Sequence, residues 1–120
     1  MSETDLSRSI RLALATVGVW VIRVQSGTIP ALYSGRRRYI HCAEPGTPDL
    51  CLPALGWLEV KTTQGELSPE QVAWHARAAR EGVNVAVVRS VDAAVRTARG
   101  WQVERLSRSG QQPPLCAGKR

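Results

Sequence analysis

A chain of 120 residues with 43% hydrophobic content is the size of one domain and long enough to bury a single core. Sixteen Lys and Arg against ten Asp and Glu leave a formal charge of +6, which favours polyanionic partners, nucleic acid first among them. The apolar run over residues 12–22, broken by Gly18, falls short of the roughly 20 residues that span a bilayer, and the acidic opening Ser2-Glu3-Thr4-Asp5 is the wrong charge for a signal peptide, so a cytoplasmic protein with no membrane partner is expected. Cys42, Cys51 and Cys116 show neither C-x-x-C pairing nor zinc-finger spacing with His41 or His75, and read as reduced thiols.

From Ser2 to about Val17, apolar Leu6, Ile10, Ala13, Leu14 and Val17 recur at helical spacing behind a Ser2/Asp5 capping box, which predicts a first helix ended by Gly18. On that wheel Glu3 shares the apolar stripe; it serves a site there, or it merely complements the helix dipole. Residues 19–25, β-branched with Trp20, predict a strand, and Ser26-Gly27 with Pro30 a turn. Residues 34–46 are the least regular. They hold Arg36, Arg37 and Arg38 beside Tyr39, a basic triplet that either tracks a phosphate backbone or forms a solvated loop.

Residues 49–52 form a short apolar strand candidate closed by Pro53. A second strand is predicted over 57–63, with Leu58 and Val60 on one face and Glu59 and Lys61 on the other, facing the first across a turn at Ala54-Leu55-Gly56. Ser68-Pro69-Glu70-Gln71 is a strong helix start, with Ser at the N-cap, Pro at the first helical position and Gln three beyond the cap; this helix runs to about Glu81 and stops at Gly82. Residues 83–89 read as a strand covered on both faces, and Ser90 caps a last helix from Val91 to about Arg99. The segment after Arg105 lacks periodicity, so a folded domain over 1–105 and a mobile basic tail over 106–120 are expected. The whole order, helix, three strands, helix, strand, helix, predicts an α/β fold with a mixed central sheet flanked by helices.

The informative constellation is Gly46-Thr47-Pro48-Asp49, nine intervening residues, then Glu59-Val60-Lys61. On adjacent strands Asp49 and Glu59 point into one cavity, with Lys61 on the face of Glu59 because strand side chains repeat every two residues. Paired carboxylates suit Mg²⁺ or Mn²⁺, and the backbone carbonyl of Val60 offers a further oxygen ligand. Lys61, an ammonium on a flexible stem, suits positioning an attacking water and steadying charge on phosphorus. Taken alone, Glu-x-Lys is also a common exposed strand pattern.

These pieces resemble the PD-(D/E)XK nuclease superfamily and, within it, the VRR-NUC family of small stand-alone nucleases. The likeness covers roughly residues 3–95 and rests on Glu3, Trp20, Arg23, Ser26-Gly27, Gly46-Thr47-Pro48-Asp49, Glu59-Val60-Lys61, and Gly65-Glu66-Leu67-Ser68-Pro69-Glu70-Gln71 with Trp74. The resemblance implies a restriction-endonuclease-like core and a Mg²⁺-dependent phosphodiesterase in which Asp49 and Glu59 bind metal, Lys61 assists the water, and Glu3 and Gln71 complete the site, Glu3 as a possible further ligand. It implies Arg23 and Ser26 as nucleic-acid contacts, to which the Arg36–Arg38 triplet would add. It further implies a structure-selective DNA endonuclease acting on four-way or branched DNA as a homodimer, because two symmetric cuts call for a two-fold pair of sites. Gln71 retains a second reading, that it only closes the capping box. The alternatives are a non-catalytic nucleic-acid-binding module of the same fold, or a nuclease acting on RNA or modified DNA.

Overall fold

The computed structural model describes residues 1–24, 27–33 and 36–109, with side chains described for residues 1–24 and 43–108. Three helices, α1 (Glu3–Thr16), α2 (Pro69–Arg80) and α3 (Val91–Ser109), flank a mixed sheet of β1 (Ile22–Arg23), β4 (Leu50–Leu52), β5 (Gly56–Val60) and β6 (Val85–Val88) in the order β1-β4-β5-β6. β1 and β4, and β4 and β5, run antiparallel, while β5 and β6 run parallel across the connection made by α2. β2 (Gly27–Tyr33) and β3 (Arg36–Ala43) form a separate antiparallel ribbon.

Strand alternation divides β5 between the two helical layers. Leu58 and Val60 are buried with Leu6, Ile10 and Leu14 of α1, Leu50 and Leu52 of β4, Val88 of β6, and Ala94 and Ala98 of α3. Trp57 and Glu59 take the opposite face, where Trp57 meets Trp74 of α2 edge to face at 5.3 Å between ring centres. The sheet is therefore covered on both sides, and among the described residues no helix is long and apolar enough to cross a membrane. Cys51, the one cysteine whose side chain is described, is a free thiol with its pKa pushed up by burial.

Several expectations need correction. Of the strand expected over 19–25, the described residues form β1 at Ile22 and Arg23, at the sheet edge, with the Val24 N–H donating to the Asp49 carbonyl at 2.7 Å, and Trp20 is 69% exposed. The irregular stretch from residue 34 contains β3, so five strands, not three, separate α1 from α2. Pro30 lies inside β2 opposite Tyr39, which a two-stranded ribbon tolerates because each strand has an unpaired edge for the missing N–H. β6 is less enclosed than expected: Val88 is buried, but residues 85–87 are half-buried. α3 continues through Gly100 to Ser109, past Arg99 and into the segment read as tail, because Trp101 packs against the core and holds the next turns in place. Glu3 is exposed, while Leu6, Ile10 and Leu14 form the buried stripe; at the first turn its carboxylate reaches water without leaving the helix.

Candidate active site

The β4–β5 hairpin sets the two central carboxylates opposite each other. Its register pairs Leu50 with Leu58 and Cys51 with Trp57, and one further step along the same ladder brings Asp49 against Glu59. The turn is tight: Pro53, Ala54 and Leu55 lie between paired Leu52 and Gly56, and Ala54 takes a left-handed conformation with φ of 69°. Asp49 Oδ2 accepts from the Val60 backbone N–H at 2.9 Å, which fixes the carboxylate across the ladder. A residue's own N–H and C=O point to the same side of an extended strand, so the Val60 carbonyl is directed to the Asp49 side as well.

The loop carrying Asp49 is docked onto the start of α2. Gly46 has φ of 90°, and a Cβ there would collide with the Glu70 carbonyl. Buried Thr47 closes the preceding turn, its Oγ1 donating to the Glu44 carbonyl at 2.6 Å. Glycine is thus required twice over, by conformation and by space, and its close approach brings Asp49 and Gln71 to one place.

Gln71 does both things open to it. Its Oε1 accepts from the Ser68 backbone N–H at 2.8 Å while its own N–H donates to Ser68 Oγ, a reciprocal capping box. Its Nε2 donates to Glu59 Oε2 at 3.0 Å. Lys61 Nζ stands 3.8 Å from the same oxygen, its side chain only 12% exposed. The other Glu59 oxygen, Oε1, is buried with no hydrogen-bond partner. Burial, then the neighbouring Asp49 carboxylate, pushes Glu59 up to about 8; Lys61 opposes the rise, and Glu3 adds to it from across the cleft.

This donor set fits a hard divalent cation. A buried carboxylate oxygen without a partner, facing a second carboxylate, is electrostatically costly unless a proton or a cation occupies the space between them. Glu3 stands farther out. It lines a cleft of about 310 Å³ with Thr4, Ser7, Arg8, Arg11, Arg23, Val24 and Asp49, and among the described residues no three His, Cys, Asp or Glu side chains close into a single cluster.

Of the other expected contacts, Arg23 is exposed on β1 and lines that cleft. Ser26 and the side chains of Arg36, Arg37 and Arg38 lie outside the described residues. Three contributors escaped the sequence reading. Arg8 and Arg11 bring positive charge into the cleft from α1, and Arg89 donates to the carbonyls of Thr62 at 2.6 Å and Gly65 at 2.7 Å, tying down the loop that follows Lys61. Helical spacing alone places Arg8 and Arg11 on the same side of α1 as Thr4. Only the tertiary arrangement turns that side toward Asp49. No protein-family model, curated protein or solved structure matches this chain.

Proposed function

We propose that the chain is a metal-dependent nuclease that hydrolyses phosphodiester bonds in DNA, with a PD-(D/E)XK-type core of the VRR-NUC kind. The observation that carries this reading is Glu59: buried beside Asp49, held at Oε2 by Gln71 and faced there by Lys61, and left with Oε1 unpartnered. A cation bound beside Asp49 would supply the partner that Oε1 lacks.

Asp49, Glu59 and the Val60 carbonyl would hold Mg²⁺, or Mn²⁺ in its place, with Glu3 at the rim. A bound divalent cation supplies positive charge against the phosphate oxygens and makes nearby water more acidic. Lys61 orients the attacking water and balances charge as it builds on phosphorus. The water oxygen forms a bond to phosphorus in line with the breaking P–O3′ bond, its proton passes to solvent, and the departing 3′ oxygen takes up a proton, leaving 5′-phosphate and 3′-hydroxyl ends. Gln71 keeps the Glu59 carboxylate in one orientation beside Asp49. Branched or four-way DNA, cut by a two-fold homodimer, is the preferred substrate.

The test incubates labelled four-way junction, fork, nicked duplex, plain duplex, single-stranded DNA and RNA with protein in Mg²⁺, Mn²⁺ or EDTA. Cutting of the branched substrates in Mg²⁺ and none in EDTA is expected. Binding with every strand left whole would point to a non-catalytic module, and preferential cutting of RNA would replace the substrate.

A further inference from the structure

The cleft beside Asp49 holds more positive charge than the chemistry above uses. Arg8, Arg11 and Arg23 line it with the hydroxyls of Thr4 and Ser7, against Glu3 and Asp49 on the acidic side. Arg11 is only partly exposed, and its Nε is buried with no hydrogen-bond partner. A buried donor without an acceptor is costly, so this guanidinium nitrogen is not committed to a partner among the described residues. Among the described residues neither Arg11 nor Arg23 makes an ion pair; Arg8 pairs only with Asp5, at 3.9 Å on the exposed side of α1, where such contacts are weak.

We propose that this cleft is a phosphate seat: Arg11, with Arg8 and Arg23, grips a backbone phosphate next to the one that is cut. The inference rests on the reading of Asp49 and Glu59 as a nuclease centre and adds the substrate feature that centre requires, a second charged phosphate in the same strand. Guanidinium forks suit phosphate oxygens through paired, charge-assisted N–H donors, and Thr4 and Ser7 add hydroxyl donors. The placement is consistent with the charges. Glu3 and Asp49 would repel a phosphate brought in alone, so the seat fills only when a cation neutralises the acidic wall, and the two halves of the cleft bind together.

The test measures fluorescence anisotropy of labelled four-way junctions in Ca²⁺, each assembled with one oligonucleotide carrying an uncharged methylphosphonate linkage at a successive position, against wild type, Arg11→Gln and Arg8→Gln. One linkage in wild type should weaken binding about tenfold or more, as loss of a charge-assisted contact does, and Arg11→Gln should lose its sensitivity to that linkage alone. Arg8 is exposed, so Arg8→Gln keeps the test valid if the Arg11 variant fails to melt cooperatively; it should blunt the same position. Penalties that multiply, or an equal cost at every linkage, would overturn the seat. Cutting of the same junctions in Mg²⁺ separates the two ideas. Cutting with multiplying penalties removes the seat and leaves the nuclease, whereas coupled binding without cutting keeps the seat and removes the nuclease. No binding to any junction overturns both.

Discussion

The side-chain amide of Gln71 joins the start of a helix to a buried acid: its oxygen closes the cap on Ser68 at 2.8 Å, and its nitrogen donates to Glu59 Oε2 at 3.0 Å. Helix stability and carboxylate orientation therefore depend on one residue, and substitutions can separate them. Glu at this position still accepts from the Ser68 N–H but presents a carboxylate to Glu59 in place of a donor. We predict that Gln71→Glu keeps thermal stability near wild type at neutral pH and lowers Mg²⁺-dependent cutting by about 10–100-fold, the usual effect of losing an orienting partner. Gln71→Ala should add a stability loss of about 1 kcal/mol from the cap. Equal cutting by Gln71→Glu and wild type, measured with Mg²⁺ saturating, would reduce the residue to a cap.

Glu59 makes the metal-free protein sensitive to pH in a defined direction. Its usual value is 4.5, and burial beside Asp49 raises it to about 8 in the folded chain. Across that window the folded state holds a proton that the unfolded state has released. The stabilising contribution is complete below pH 4.5 and is lost as pH rises through 8. A cation needs the carboxylate ionised, so stabilisation by Mg²⁺ should grow over the same window with release of a proton. Urea unfolding at pH 5, 6, 7 and 8, with and without Mg²⁺, checks this, and Glu59→Gln should remove both the slope and the Mg²⁺ effect. A slope that survives Glu59→Gln would assign it to other groups.

Lys61 opposes the rise of Glu59 from 3.8 Å away. Lys61→Met fills similar space without charge, so cooperative melting should persist while cutting falls by about 10²–10⁴-fold, the range for groups that handle the water in such steps. The pH at which Mg²⁺ begins to stabilise the protein should move upward. Retained cutting would exclude a role at the water, and loss of cooperative melting would make Lys61 structural.

Gly46 should resist substitution although it touches no substrate. Gly46→Ala faces a left-handed backbone and a collision with the Glu70 carbonyl, so a loss of about 2–4 kcal/mol is expected together with weakened cutting, since Asp49 follows three residues later. Chemical denaturation measures the first and cleavage the second. A neutral Gly46→Ala would mean that this loop is not docked on α2.

The α/β class and the helix starts were legible because they rest on local chemistry: Ser2 and Ser68 cap the helices their spacing announced. The juxtaposition of Asp49, Glu59 and Lys61 was legible for the same reason, a period of two along a short hairpin. What local pattern concealed depends on partners distant in sequence. The β2–β3 ribbon was concealed because Pro30 reads as a turn until its opposing strand is known, and α3 looked shorter because the packing of Trp101 on the core is not visible in local spacing. Glu3 shared the helical stripe on paper, yet at the first turn of α1 its carboxylate faces solvent at the cleft rim. Arg8 and Arg11 looked like ordinary surface charge until the fold placed α1 beside Asp49.

The most direct test of the central claim is the initial rate of cutting of a labelled four-way junction across a Mg²⁺ series, with wild type and Asp49→Ala prepared identically. A wild-type rate that rises and saturates with Mg²⁺, and an Asp49→Ala rate at background throughout, is the predicted result. Equal rates for the two proteins, or a rate indifferent to Mg²⁺, would contradict it.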